Sequence, residues 1–173
     1  KVNKSGNIKH KILAIIAVPG NHAGPRKEVL ERLGNPDYSN PKTNEYLTHN
    51  LHDRFHYPVI NRILSNNLNN GKNSPVKILF APVYLDGTDG IFNMEYYDFL
   101  TGCDLTVFAC IYEPWGYTPL DSIAFHVPTI TSYIDGFGLW VKINYKTPQH
   151  SVSVIPRDDY NYSDVVTTIA DIT

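Results

Sequence analysis

Five short apolar runs recur along the chain, and most of them contain few polar residues. Runs of this kind, without alternating polar positions, are typical of strands that are buried on both faces of a parallel sheet. Pro19 directly follows the first run, and Pro82 directly follows the second. The runs predicted to be strands are Ile12–Val18, Val76–Ala81, Leu105–Cys110, Val127–Thr131 and Ser151–Ile155.

Segments with apolar residues at helical spacing lie between the predicted strands. Pro58–Leu68 carries the clearest stripe, which includes Ile60, Ile63 and Leu64. Alternation of strands and helices predicts the α/β class, with a doubly wound parallel sheet. Ligands bind outside the carboxyl ends of the strands in such sheets, so the loops after the predicted strands are where a site is expected. The other predicted helices are Arg26–Leu33, Met94–Thr101, Pro119–Phe125 and Ser163–Ile172.

Composition adds limits to this interpretation. The chain has 173 residues, 42% of them apolar and 18% charged, which fits one globular domain. A net charge of −2 produces no strong field for nucleic acid or an anionic membrane surface, so neither is an expected partner. No apolar stretch approaches the roughly 20 residues that a membrane helix needs. Cys103 and Cys110 form no C-x-x-C pair and are interpreted as reduced, buried thiols.

The segment Ile111–Ala124, I-Y-E-P-W-G-Y-T-P-L-D-S-I-A, is the most informative because it follows a predicted strand and opens a predicted helix. Thr118 is predicted as the N-cap and Pro119 as the first helical residue. Asp121 follows Thr118 at the spacing of a capping box. Gly116 lets the backbone approach a ligand closely. A glycine-bearing turn that leads into a helix N-terminus predicts a site for phosphate oxygens.

Two acidic residues of this segment each admit two interpretations. Glu113 follows a buried strand, where a carboxylate loses solvation unless it is used or paired. It either binds sugar hydroxyls beside the phosphate site or accepts hydrogen bonds from backbone amides of its own turn. Asp121 is either a ligand-binding residue or a capping residue alone.

The stretch Tyr112–Pro119, Y-E-P-W-G-Y-T-P, resembles the glycogen-synthase signature of glycosyltransferase family 3. The resemblance runs in order from about Ile12 to the end of the chain. At Tyr57–Ile60 the chain reads Y-P-V-I where the family has a D-P-I-L-like stretch, so the acid is absent. The other similar stretches are Thr48–Asn50, Val76–Pro82, Glu95–Cys103 and Pro128–Gly138.

The resemblance implies a retaining glucosyltransferase of the GT-B fold, which has two Rossmann-like domains with the active site between them. Such enzymes move glucose from UDP-glucose or ADP-glucose to the non-reducing end of an α-1,4-glucan, without a metal or other cofactor. Residues 1–173 are expected to form a single partial domain, the C-terminal domain that binds the nucleotide-sugar donor. The glucan acceptor is expected to bind through an N-terminal domain outside this sequence, and a cytoplasmic location is implied.

The resemblance also implies roles for individual residues. Glu113 is expected to contact and orient the donor glucose, and it is the candidate catalytic residue. Asp121 is expected to bind the ribose hydroxyls, although the family has the longer Glu at this position. Tyr96 is expected to stack on the base; its alternative is a helix tyrosine packed on the sheet. The turn Trp115, Gly116, Tyr117 and Thr118 is expected to meet the glucose and the distal phosphate, and Gly136, Phe137 and Gly138 are expected to close the pocket, with an ordinary turn as the alternative.

Other features leave competing interpretations open. The family's basic pair, which neutralises the diphosphate, has no match in Lys1–Lys11, so this piece alone is predicted not to turn over. A non-catalytic module is favoured by Asp121. A glucan phosphorylase would need a lysine that carries pyridoxal phosphate, and no lysine stands in a matching loop. The histidines His49, His52 and His56 are a weak metal signal, because three histidines alone rarely define a site.

Overall fold

A computed structural model describes residues 11–34, 46–68, 70–71, 73–145, 151–158 and 161–172. The chain divides into two compact units, Lys1–Tyr96 and Tyr97–Thr173. Within the described ranges, no helix is both long and apolar enough to cross a membrane.

The first unit contains a parallel pair of strands. Strand β1 (Ile12–Ala17) pairs with β4 (Val76–Ala81) in register, from Ile12 opposite Val76 to Ala17 opposite Ala81. Strands β2 (His22–Pro25) and β3 (His49–Leu51) form a separate antiparallel pair. Its helices are α1 (Lys27–Leu33) and α2 (Pro58–Ser65), and α3 (Tyr96–Thr101) begins at its last residue.

The core of the first unit forms between β4 and α2. Phe80 of β4 is fully buried and packs with Ile60 and Ile63, which are the buried residues of α2. Leu64 lies on the other side of that helix and is 57% exposed. The helical spacing in Pro58–Leu68 therefore predicted the burial of Ile60 and Ile63 but was wrong for Leu64, and the helix ends three residues earlier than predicted, at Ser65.

Two expectations for this unit were wrong. Ile12 and Leu13 of β1 are 43% and 60% exposed, although continuous apolar sequence predicted burial on both faces. Among the described residues, β1 pairs with one strand only. Thr48 and His49 lie in Asn35–Asn50, a polar and turn-rich stretch whose composition predicts a surface excursion. Both are nevertheless fully buried, and their side chains are hydrogen-bonded to each other and to backbone carbonyls. Residues 35–45 lie outside the described ranges.

The second unit is built on a three-stranded parallel sheet in the order β5-β6-β7. Its strands β5 (Thr106–Phe108), β6 (Thr129–Ser132) and β7 (Val152–Ile155) alternate with helices. All four residues of β6, the central strand, are buried. The parallel α/β architecture confirms the predicted class. The helices of this unit are α4 (Tyr117–Ala124), α5 (Gly136–Asn144) and α6 (Tyr162–Ile172).

Helices cover both faces of this sheet. Val152 and Val154 of β7 pack in a cluster with residues of α4 and α5, whereas Ile155 packs with Val165 of α6. Since successive strand residues point to opposite faces, α4 and α5 lie on one face and α6 lies on the other. This is the layering that a doubly wound sheet requires.

Candidate functional site

Two loops meet at the carboxyl edge of the β5-β6-β7 sheet. One loop leads from β5 to α4, and the other leads from β6 to α5. Glu113 and Asp135 form an isolated parallel bridge between the loops. The N–H of Gly136 donates to the carbonyl of Glu113 at 3.2 Å, and the N–H of Phe137 donates to the carbonyl of Trp115 at 2.6 Å. The backbone of the first loop is therefore held by the first residues of α5.

Glycines allow this close approach. Gly116 has a φ of +86°, a conformation that L side chains rarely adopt, and a Cβ there would overlap the carboxylate of Asp135. A Cβ at Gly136 would overlap the carbonyl oxygen of Pro114. A Cβ at Gly138 would overlap the carbonyl oxygen of Ser132, at the end of β6. Side chains at any of these positions would push the two loops or α5 apart.

Asp135 is the buried acid between the loops. It is 1% exposed and is the N-cap of α5. Its Oδ1 accepts from the N–H of Phe137 at 2.8 Å and from that of Gly138 at 3.3 Å. Its Oδ2 accepts from the hydroxyl of Thr131 at 2.7 Å. One carboxylate thus joins β6 to α5 and lies against Gly116.

The predicted start of α4 was wrong. Gly116 is its N-cap, without a side-chain capping bond, and the helix begins at Tyr117. Thr118 is therefore the second helical residue, and Pro119 the third. The left-handed conformation of Gly116 turns the chain into the helix two residues earlier than a Thr118 cap would. The capping box of Thr118 and Asp121 is not formed.

The N-terminal amides of α4 are available to a ligand. Within the described part of the chain, no hydrogen bond is donated by the N–H groups of Trp115, Gly116, Tyr117 and Thr118. First-turn amides have no intrahelical acceptor, and the helix dipole adds partial positive charge there. This end of α4 can therefore bind an anion such as a phosphate group.

The N-terminal amides of α5 are used differently. The N–H of Gly136 and the N–H of Phe137 donate to the first loop. Those of Phe137 and Gly138 donate to the Asp135 carboxylate. Residues 136–138 are the first turn of α5, so the alternative interpretation of an ordinary turn is wrong, and their expected closing of the pocket stays a prediction. These amides donate to acceptors within the protein. The contribution of residues 136–138 to ligand binding would therefore come from the shape of this first turn.

Glu113 is exposed, and along the chain it lies two residues before Trp115, the first of the unengaged amides at the start of α4. Among the described residues, no group donates a hydrogen bond to its carboxylate, so it does not bind amides of its own turn. Only its backbone carbonyl is engaged, by Gly136. The structure therefore gives no support to the interpretation in which the carboxylate binds its own turn, and its role toward a ligand stays a prediction.

The remaining predicted residues are placed as follows. Asp121 is half-buried in the middle of α4, and within the described residues its carboxylate makes no capping bond. The rings of Trp115 and Phe137 lie 6.3 Å apart, and Trp115 is 38% exposed. Tyr117 is 70% exposed. Tyr96 is half-buried at the start of α3 and belongs to the first unit, whereas the other nine predicted residues belong to the second.

The histidines of the weak metal signal do not share a helix. His49 is buried in β3, whereas His52 and His56 are exposed, and His56 pairs with Asp53 at 2.9 Å. Across the described ranges, no group of three or more His, Cys, Asp or Glu side chains could hold a metal ion.

Sequence reasoning missed Asp135 as a site residue. A signal was present, since Asp is a preferred N-cap and an apolar stretch follows it. The two glycines of Gly136–Gly138 hid this signal, because glycine at nearby positions usually indicates a turn.

A free helix N-terminus at the carboxyl edge of parallel strands is the feature with which many α/β proteins bind phosphate groups. A family model described as glycogen synthase matches residues 39–173. The chain belongs to the glycogen synthase family.

Curated relatives agree with this assignment. Glycogen [starch] synthase isoform 1 of Saccharomyces cerevisiae is 34% identical over 128 residues, which cover 72% of this chain and 18% of the relative. The liver glycogen [starch] synthase of Mus musculus is 36% identical over 111 residues, covering 64% of this chain and 16% of the relative. The chain thus matches less than a fifth of the length of either relative.

Proposed function

We propose that this chain is the donor-binding part of a retaining glucosyltransferase of the glycogen or starch synthase type, in a GT-B enzyme of the cytoplasm. The enzyme transfers glucose from UDP-glucose or ADP-glucose to the non-reducing end of an α-1,4-glucan, which other parts of the full-length protein bind. The observation that carries the proposal is that one loop holds both the exposed Glu113 carboxylate and the unengaged amides at the start of α4. Family membership supports the reaction type.

The Glu113 carboxylate suits the glucose of a nucleotide sugar, and the amides at the start of α4 suit its diphosphate. Charge builds on the departing diphosphate in the transition state, and preorganised amides aimed at that charge lower the barrier. The amides of residues 115–118 take the distal phosphate, and the Glu113 carboxylate accepts hydrogen bonds from glucose hydroxyls. The reaction uses the nucleotide sugar alone, without a metal or organic cofactor, as the family resemblance implies.

The other predicted residues complete the donor site in this proposal. Asp121 binds the ribose hydroxyls and Tyr96 stacks on the base. The first turn of α5, at Gly136, Phe137 and Gly138, closes the site by its shape, since its amides already have protein acceptors.

Glu113→Gln in the full-length protein tests the role of the acid. The amide keeps the size of the side chain but can no longer accept from the glucose hydroxyls with both oxygens or supply negative charge. We expect the kcat for glucose transfer to fall at least roughly 100-fold, as for loss of one strong transition-state contact. The matched control is Glu31→Gln, which changes an exposed acid of α1 and should leave kcat unchanged. Wild-type transfer rates in Glu113→Gln would contradict the proposed role.

A non-catalytic glucan-metabolism module is the second candidate, and Asp121 favours it. Asp is one methylene shorter than the family's Glu, and a half-buried position in α4 limits how far its carboxylate can move. Titration of UDP-glucose and ADP-glucose into the full-length protein separates the two candidates. Binding of one donor supports the transferase, whereas binding of neither supports the module.

A further inference from the structure

We propose that Asp135 is a positioning residue of the donor site, and that it sets the place of the Glu113–Gly116 loop without touching the substrate. This inference rests on the proposed function, because it concerns the same loop. Its evidence is a different set of contacts, all of them inside the protein.

The first step is the connection from Asp135 to the loop. The bridge between Glu113 and Asp135 aligns the two backbones. Amides of α5 then bind the carbonyls of Glu113 and Trp115, on either side of Pro114. A displacement of the start of α5 would therefore displace the loop as well. The Asp135 carboxylate also packs directly against the Cα of Gly116, the N-cap of α4.

The second step is the connection from Asp135 to the sheet. Its Oδ1 binds the first-turn amides of α5, and its Oδ2 binds the hydroxyl of Thr131 in β6. Thr131 is fully buried in the central strand, where it is held by neighbours on both sides. A serine cap would bind the α5 amides but would have no second oxygen for Thr131. Asp135 thus fixes α5, and through α5 the donor loop, relative to the sheet.

The third step is the effect on the reaction. The exposed Glu113 carboxylate and the free amides of α4 belong to opposite ends of this one loop. A shift of the loop would move both groups relative to a bound nucleotide sugar. Displacements of about 1 Å in a positioned group can lower rates by up to roughly 100-fold. Loss of the Asp135 contacts should therefore lower kcat/KM beyond any effect on stability.

The test compares two substitutions of Asp135 in the full-length protein. Asp135→Asn keeps the shape, an acceptor for the α5 amides and a polar group for Thr131, so kcat/KM should stay within about threefold of wild type. Asp135→Ser keeps the cap alone, and we expect kcat/KM to fall about tenfold or more. Val165 is the buried residue of α6. Val165→Ala is the control for lost stability and should lower Tm without changing kcat/KM.

The outcomes separate positioning from a merely structural role. If Asp135→Ser lowers Tm but retains the wild-type kcat/KM, the inference is overturned. Equal loss in Asp135→Asn and Asp135→Ser would also overturn it, since the charge and not the geometry would then matter. If Asp135→Ser does not fold, Thr131→Val removes the 2.7 Å bond to Oδ2, together with the longer 3.5 Å bond from the Thr131 hydroxyl to the carbonyl of Phe108. An unchanged kcat/KM in that variant contradicts the inference.

The same assays separate this inference from the proposed function. Absence of glucose transfer in the wild type with either donor would remove the proposed function and the inference together. A large loss in Glu113→Gln with no loss in Asp135→Ser or Thr131→Val would leave the proposed function standing and remove the inference alone.

Discussion

Two acids that face each other across one β-bridge have opposite surroundings. Asp135 is 1% exposed, and its two carboxylate oxygens accept three hydrogen bonds. Glu113 is exposed, and its carboxylate accepts none within the described residues. A buried carboxylate needs such bonds to offset lost solvation, whereas an exposed one is free for a ligand. The sequence identified Glu113 because it lies in a distinctive signature, but burial and contacts were needed to identify Asp135.

His49 in β3 illustrates how burial changes titration at the scale of one residue. Its ring is fully buried, with Nε2 2.7 Å from the carbonyl oxygen of Asp89 and Nδ1 2.8 Å from the Thr48 hydroxyl. Burial is the largest effect and lowers the pKa of His49 below 6.5; the Asp89 carbonyl raises it in part, and nearby His22 lowers it further. The folded protein therefore resists protonating a ring that the unfolded chain protonates readily.

We predict that His49 makes stability fall as the pH is lowered. Because the folded pKa lies below the unfolded value, its contribution is present above pH 6.5 and is lost as pH falls through the folded pKa. Thermal unfolding at about pH 7.5 and about pH 5.5 should show a smaller loss of Tm in His49→Gln than in wild type. The exposed His52 gives the control, His52→Gln, which should behave as wild type. Identical pH dependence in wild type and His49→Gln would refute this prediction.

At the scale of elements, the approach of α5 to β6 depends on one missing side chain. Gly138 lies in the first turn of α5, and a Cβ there would overlap the carbonyl oxygen of Ser132, which is backbone and cannot rotate away. We expect Gly138→Ala to lower the free energy of unfolding by about 1–3 kcal/mol, as overpacking does elsewhere. Denaturant titration measures this loss.

Gly102, in the turn after α3, provides the matched control for this prediction. A Cβ at Gly102 would meet its nearest neighbour, the carbonyl oxygen of Phe99, at 3.4 Å, an ordinary contact. Gly102→Ala should change the free energy of unfolding by less than about 0.5 kcal/mol. Equal effects of the two substitutions would show that the close approach at Gly138 does not matter.

Strands and helices that are marked by a clear apolar pattern were predicted more accurately than those that are not. Strands β1 and β4 and helix α6 were predicted to within about one residue, because apolar runs or stripes mark them. Helix α5 was missed, since glycine normally disfavours a helix and two glycines lie in its first turn. Here contacts with β6 and the Glu113–Gly116 loop require glycine, and Asp135 caps the helix. Such a tertiary requirement leaves no local signal in the sequence.

At the scale of the whole molecule, the chain comprises two units, each with a parallel strand pairing and its own buried cluster. The class and the family could be predicted from sequence, because they depend on runs and signatures that span most of the chain. Donor preference could not be predicted, since it depends on contacts with a nucleotide, which the sequence does not determine. The chain represents a small part of the length of its relatives, so function has to be tested in the full-length protein.

A crystal structure of the full-length protein with bound UDP-glucose or ADP-glucose tests the account most directly. We predict that the distal phosphate lies within hydrogen-bonding distance, about 3 Å, of amides at the start of α4, in residues 115–118. We also predict that the Glu113 carboxylate accepts hydrogen bonds from the glucose hydroxyls. A donor whose phosphates lie away from that helix end, with Glu113 making no contact with the sugar, would contradict the account.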